Sequence, residues 1–336
     1  MPKTIRNEYY KKLSYESLMK AHLESRKGKS SRRKIILFNL KQEDYIMWLY
    51  GQLQNKTYKH SGYSVFYVTE PKLRRIEKSK YIDRIVHRWY VDNFIIEYFV
   101  KSFCSTSYAC IKTKGMHKAC LELQNAMKHC KRVWNNYYII KMDVAKYFQN
   151  IDKQILYKII TRKIKDENLL WLTREILYSN GKEKGLPIGN YTSQCFANIY
   201  LNEMDQYAKH QLKLKYWYRY MDDMIAIVRT KQEAIDKLTK IRKFLKDTLE
   251  LELNSKTQIF KSKQGANFCG YKINEYRLKI RDKGKRKLKS KVKKLTQEIK
   301  QGKISSKEAH KYLSGHLGYI NIANVNTLKN NLFYKK

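Results

Sequence analysis

The 336 residues are 43% hydrophobic and 13% aromatic, enough apolar surface to bury a large core and more than one subdomain, which excludes a disordered tail. Lys and Arg total 71 against 30 Asp and Glu, a formal net charge of +41 that must be solvated or neutralised. AT-rich coding would account for the abundant Lys, Asn, Tyr and Ile, but it would raise Glu as well, so the excess points to nucleic acid as the polyanion ahead of a membrane surface.

The N-terminus, Met1-Pro2-Lys3-Thr4-Ile5-Arg6, lacks the apolar segment of a signal peptide, and no apolar run approaches the ~20 residues that span a bilayer. A cytoplasmic protein of bacterial or phage origin, with no membrane association, is the expectation. The first third reads as an amphipathic helix, a basic stretch from Arg26 to Lys34, and a further helix from Gln42 to Gln54. A strand is predicted from Gly62 to Thr69, where Tyr63, Val65, Tyr67 and Thr69 alternate with other residues, and Pro71 closes it. Apolar residues recur at helical spacing from Ile82 to Val100, and Lys114-Gly115-Met116-His117 is a turn. Tyr137 to Val144 is a buried-strand candidate, and helical periodicity resumes from Lys153 to Ile164. Gly185-Leu186-Pro187-Ile188-Gly189-Asn190 is turn chemistry, with a helix starting near Thr192. Two apolar runs, Tyr216-Trp217-Tyr218-Arg219 and Met224 to Val228, flank Tyr220-Met221-Asp222-Asp223 and predict a β-hairpin with the acids at its tip. A helix from Gln232 to Leu249, two short strands around Gln258 to Ile273, and a very basic helical region beyond Lys279 complete the chain. Cys104, Cys110, Cys120, Cys130, Cys195 and Cys269 have neither C-x-x-C pairing nor zinc spacing and are read as reduced structural residues. With no internal repeat and no low-complexity linker, the domains are expected to interleave.

Adjacent carboxylates at the edge of a core repel each other and are costly to desolvate, so Asp222 and Asp223 call for a cation. Asp143 closes an apolar strand about eighty positions earlier. Alone, a strand-terminal Asp is more often a cap or salt-bridge partner, and Asp-Asp at a turn is usually solvated. Together, in a chain poor in acids, they fit a two-metal phosphoryl-transfer site, with cations about 3.5–4 Å apart that activate a 3′-hydroxyl and stabilise the leaving pyrophosphate.

Lys141-Met142-Asp143-Val144-Ala145-Lys146-Tyr147-Phe148, Gly185 to Gln194, and Tyr220 to Asp223 resemble, in order and spacing, motifs A, B and C of reverse transcriptases. Leu253-Asn254-Ser255-Lys256-Thr257 resembles motif D and Phe268-Cys269-Gly270-Tyr271 motif E. Upstream, Pro71-Lys72-Leu73-Arg74-Arg75-Ile76 with Asp83-Arg84 is similar to the fingers motifs. The resemblance runs from about residue 60 to 275 and implies an α+β right-hand polymerase fold, with an antiparallel palm sheet carrying the acid hairpin and a basic helical thumb. The implied domains are 1–115 (N-terminal region and fingers), 116–152 (palm), 153–186 (fingers, second part), 187–274 (palm) and 275–336 (thumb).

The implied chemistry is RNA-directed DNA synthesis with two Mg²⁺ ions, Mn²⁺ being possible because the ligands are all oxygen. Asp143 and Asp222 would ligate both metals, with Asp223 beside them and the Val144 carbonyl assisting. Lys72 and Arg74 would contact the triphosphate of the incoming dNTP, and Lys256 would protonate the leaving pyrophosphate. Phe148 falls where these enzymes place a steric gate against the 2′-hydroxyl, which favours deoxynucleotides; its alternative role is core packing. Motif B departs from the common Gln-Gly and Ser-Pro form, since Ile188-Gly189 and Ser193-Gln194 stand there. That form is similar to the reverse transcriptases of diversity-generating retroelements, which copy adenines with errors. Ile188, Gly189 and Gln194 are therefore nucleotide-site candidates.

Arg281, Lys285, Arg286, Lys287, Lys289, Lys293 and Lys294 lie on a basic helix where a thumb would track an RNA/DNA heteroduplex. A charge run of this kind is usually a solvated face when it stands alone. Ser314-Gly315-His316-Leu317-Gly318-Tyr319 reads as a tight helix-packing or turn element. About sixty residues follow motif E, too few for a ribonuclease H, maturase or endonuclease domain. The resembled retroelement enzymes work with a template RNA and a pentameric basic accessory protein; Arg32, Arg33 and Lys34 would hold RNA or face that partner. Two alternatives stand beside this reading: a phage-defence reverse transcriptase that extends DNA without a template, and a non-catalytic RNA-binding scaffold of polymerase fold.

Overall fold

The computed structural model describes residues 4–69, 73–325, 328 and 330–334. In chain order its elements are α1 (Tyr9–Lys12), α2 (Tyr15–Arg26), α3 (Arg33–Asn39), α4 (Gln42–Gln54), β1 (Tyr63–Val68), β2 (Arg74–Ser79), α5 (Tyr81–Tyr90), α6 (Met116–Trp134) and β3 (Tyr138–Asp143). There follow α7 (Tyr147–Asn150), α8 (Lys153–Thr161), α9 (Glu167–Leu177), α10 (Tyr191–Gln206), β4 (Tyr216–Tyr220), β5 (Asp223–Val228) and α11 (Lys231–Leu249). The last are β6 (Gln258–Lys261), β7 (Ala266–Phe268), β8 (Tyr271–Ile273), β9 (Leu278–Ile280), α12 (Asp282–Lys300) and α13 (Ser306–Ile320). Two compact units result, each assembled from three chain segments.

The first unit contains Met1–Ser105, Val144–Tyr207 and Ile241–Leu253. Buried Asp166 organises its start. One carboxylate oxygen caps α9 through the amides of Asn168 and Leu169, and the other accepts from the amides of Glu8 and Tyr9 at 2.7 and 2.8 Å. Along α5 the residues Ile85, Val86 and Trp89 are buried, and the Trp89 indole donates to Ser17 Oγ at 3.0 Å. The helical spacing from Ile82 to Val100 holds, but the pitch changes: Val91–Phe99 winds as a π-helix, a local widening that places Phe94, Ile95, Tyr98 and Phe99 in the core. β1 and β2 form an antiparallel ribbon; the predicted closing residue Pro71 lies outside the described residues.

The second unit contains Thr106–Asp143, Ala208–Lys240 and Asn254–Lys336. Its main sheet has the order β4-β5-β3-β6, antiparallel throughout. Because side chains alternate along a strand, one face presents Ile139, Tyr216, Tyr218, Ile225, Ile227 and Phe260. These share a core with Leu123 and Met127 of α6, with Phe268 and Tyr271, and with Leu288 and Leu295 of α12. In place of two short strands between Gln258 and Ile273 there are four up to Ile280: β6 joins the main sheet, and β7-β8-β9 form a second one. Three-residue strands are too short to display a period, which is why the pattern hid them.

The segment Ser314 to Tyr319 lies inside α13. There the Tyr319 hydroxyl donates to the Gly270 carbonyl at 2.5 Å and the Tyr271 hydroxyl donates to the Tyr319 carbonyl at 2.6 Å. Gly270 has φ +87°, and a Cβ there would collide with the Tyr319 hydroxyl, so only glycine permits this contact.

Candidate active site

In the second unit, the antiparallel register of β3 and β5 sets Asp143 directly opposite Asp223. β4 and β5 form the predicted hairpin, with one refinement: Met221 and Asp222 make the turn, while Asp223 is already the first residue of β5. Met221 adopts φ +54°, a left-handed conformation that costs a non-glycine residue about 1 kcal/mol. Fully buried Arg219 supports it by donating Nη1 to the Met221 carbonyl at 3.2 Å. The Arg219 backbone is held in turn, its N–H by the Thr106 carbonyl and its carbonyl by the Tyr108 N–H.

Like charges directly opposite on paired strands destabilise a sheet, and the chain offsets this with a cation of its own. Lys141 lies two residues before Asp143, on the same strand face, and its ammonium forms an ion pair with Asp223. It also rests over the Phe268 ring, 5.6 Å from the centroid. Burial pushes Lys141 down to about 8, and Asp143 is the foremost of the neighbours that draw it back up. The Asp143 carbonyl accepts from the Asn254 N–H at 2.7 Å, and the Asn254 carboxamide accepts from the Lys256 N–H at 3.0 Å. The loop bearing exposed Lys256 is thereby fastened to the acid-bearing end of β3.

This donor set suits a hard divalent cation, since every available ligand is an oxygen, and the ammonium already beside it offsets part of the carboxylate charge. Among the described residues, no three His, Cys, Asp or Glu side chains converge tightly enough to form a ready-made cage. Val144, expected to lend its carbonyl, follows β3 and bridges to Leu253 within the first unit.

The first unit gathers the other candidates except Lys72, which lies outside the described residues. Arg74 is exposed at the start of β2, opposite Val68. Phe148 is half-buried in α7, and its carbonyl accepts from the Leu186 N–H at 2.7 Å. The Ile188 carbonyl accepts from the Glu77 N–H at 2.9 Å. Gly189 has φ +114°, and a Cβ there would lie 2.8 Å from Ile76 Cγ2. Gln194 is exposed on α10. Arg32, Arg33 and Lys34 are exposed around the start of α3. In the second unit Arg281, Arg286, Lys287, Lys289, Lys293 and Lys294 are exposed on or beside α12, with Lys285 half-buried, while Leu288 and Leu295 turn inward.

Three positions escaped the sequence reading. Asn190 precedes α10 but spends its side chain on β2: its Oδ1 accepts from Ser79 N and Oγ at 3.0 and 2.6 Å, and its Nδ2 donates to the Glu77 carbonyl at 2.8 Å. Nothing local signals a partner so distant in sequence. Arg219 and Lys141 did leave a signal, each being a cation within an otherwise apolar strand, Lys141 at the two-residue spacing that shares a face with Asp143.

Residues 69–273, more than half of the chain, match the family described as reverse transcriptase (RNA-dependent DNA polymerase). The chain belongs to the reverse transcriptase family. Among solved structures, telomerase from Candida albicans in complex with a TWJ fragment of telomeric RNA aligns over 74% of this reverse transcriptase and 50% of its own chain, with a TM-score of 0.51 at 11% identity. The α+β fold of the reverse transcriptase type, with antiparallel sheets, is therefore the fold observed. Protein YkfC of Escherichia coli is 25% identical over 212 residues, which cover 51% of this chain and 55% of YkfC. The COX1/OXI3 intron 2 protein of Saccharomyces cerevisiae is 22% identical over 220 residues, 46% of this chain and 25% of that protein. The chain thus spans between a quarter and about half of the length of these curated relatives. No helix among the described residues is long and apolar enough to cross a membrane.

Proposed function

We propose that this reverse transcriptase synthesises DNA on an RNA template at the Asp143, Asp222 and Asp223 cluster, using deoxynucleoside triphosphates. The observation that carries the reading is the β3–β5 register, which sets Asp143 against Asp223 beside the turn that holds Asp222. Packing gives no reason to concentrate three acids there in a chain with a net charge of +41. Asp143 and Asp222, with the Val144 carbonyl, would hold two Mg²⁺ or Mn²⁺ ions, and Asp223 stands beside them. When bound, such ions lower the pKa of a primer 3′-hydroxyl and neutralise charge on the leaving pyrophosphate. Lys72 and Arg74 bind the triphosphate, Phe148 excludes a 2′-hydroxyl, and Lys256 donates the proton that pyrophosphate takes away. The exposed basic face of α12, with Arg281, Lys285, Arg286, Lys287, Lys289, Lys293 and Lys294, grips the RNA/DNA duplex through its phosphates as the thumb, and Arg32, Arg33 and Lys34 hold RNA. Residues 1–115 and 153–186 act as fingers, 116–152 and 187–274 as palm, and 275–336 as thumb.

The subclass we infer is the mutagenic enzyme of a diversity-generating retroelement, working in the cytoplasm with a template RNA and a pentameric basic accessory protein. Ile188-Gly189-Asn190 with Ser193-Gln194 supports it. An isoleucine side chain offers no hydrogen bond with which to check a nucleotide or template, so mismatched geometry at the site is rejected less strongly. The test is to copy a defined RNA template, with and without the accessory protein, and to sequence the cDNA. Wild type is expected to yield cDNA with errors concentrated opposite template adenines, and Ile188→Gln to lower that rate about tenfold, the range a single polar discrimination supplies. Absence of cDNA contradicts the polymerase reading, and an unchanged adenine error rate in Ile188→Gln contradicts the mutagenic mechanism.

A further inference from the structure

The acid cluster contains a group that the proposed chemistry leaves unused. Lys141 is a cation on a palm strand, its side chain only 15% exposed, and it is ion-paired with Asp223 rather than solvated. Burying an ammonium is unfavourable unless a specific charge holds it there, and strand alternation fixes which charges those are. Lys141 and Asp143 share one face of β3, and the register places Asp223 across from Asp143. The Phe268 ring, 5.6 Å from the ammonium, covers its other side, so the lysine stem is held between the second sheet and the acids.

We propose that Lys141 is a positioning residue that sets the net charge of the metal site: its ammonium holds Asp223 against β3 and cancels one of the three carboxylate charges. This rests on the polymerase reading of the same cluster. The charge arithmetic is specific. Three carboxylates and one ammonium sum to −2, the charge that two carboxylates would present without a lysine. Removing Lys141 alone leaves −3, and neutralising Asp223 alone leaves −1. Each unit changes the attraction for a divalent cation a few ångströms away, on the order of tenfold in affinity once solvent screening is counted.

The experiment measures Mn²⁺ affinity of the nucleic-acid-free protein by electron paramagnetic resonance, so that no turnover enters the readout. Lys141→Met is expected to bind Mn²⁺ about tenfold more tightly than wild type, Asp223→Asn about tenfold more weakly, and the double variant within about threefold of wild type. Lys141→Arg, which keeps the charge, is expected to match wild type and serves as the folding control. Should Lys141→Met alone fail to fold, the same question is answered by comparing Asp223→Asn with Lys141→Gln/Asp223→Asn, in which loss of the lysine should again tighten binding about tenfold. Unchanged or weaker Mn²⁺ binding on removal of Lys141 overturns the proposal. A wild-type protein that binds no Mn²⁺, or binds it equally well after Asp222→Asn, overturns the polymerase reading beneath it, and with it this role for Lys141.

Discussion

His87 lies on α5 with its side chain wholly enclosed, and neither ring nitrogen has a hydrogen-bond partner among the described residues. Its ring stacks on His60, 5.4 Å away between centroids. Burial, reinforced by the nearby His60 and Arg84, pushes His87 down to about 3 from its ordinary value near 6.5. Between those two values the unfolded chain binds a proton that the folded chain refuses, so stability is full above pH 6.5 and is lost as pH falls toward 3. His87→Leu has similar volume and surrenders no hydrogen bond. Urea denaturation at pH 7 and pH 4.5 should show wild type losing about 2–3 kcal/mol more than His87→Leu over that interval, at about 1.4 kcal/mol per pH unit in the titrating range. Equal losses in the two proteins would show that His87 accepts its proton while folded.

At the level of elements, one tie within the first unit joins the motif B loop to β2. Asn190 and the Ile188 carbonyl together engage the backbone of Glu77 and Ser79, the strand on which exposed Arg74 stands. Asn190→Ala would strip partners from buried polar groups of Ser79 and Glu77, and the expected cost is about 2–3 kcal/mol of stability, read by chemical denaturation, with faster amide exchange confined to β2 and the 185–190 loop. A cost below about 0.5 kcal/mol, the level of an ordinary surface substitution, would mean that the tie is dispensable. What was legible beforehand follows the same physical divide. β3 and the acid hairpin were readable as short apolar runs that end in acids, and α4 and α11 as helical segments long enough to stand out between turns. The β7-β8-β9 sheet, the π-helical turn after Tyr90 and the Asn190 bonds were not. The first is too short for a period, the second alters pitch without altering composition, and Asn190 reaches Ser79 across 111 residues.

For the whole molecule, the ordered motifs made the family legible and the acids made its chemistry an expectation. Composition made a polyanionic partner an expectation, since a net charge of +41 has to be solvated or neutralised. Pairings between distant strands were not legible, and they are what turn three scattered acids into a cluster: only the folded register sets Asp143 opposite Asp223 and brings Lys141 to the same face. The central claim is that this cluster is where nucleotidyl transfer takes place, and the most direct measurement is single-nucleotide incorporation on a DNA primer annealed to RNA, comparing wild type with Asp222→Asn under conditions where both show the same unfolding midpoint. The carboxylate at the turn should be worth at least about 10²–10³-fold in rate, the scale on which losing one preorganised charge-stabilising group acts. Incorporation by Asp222→Asn within a few-fold of wild type would contradict the assignment.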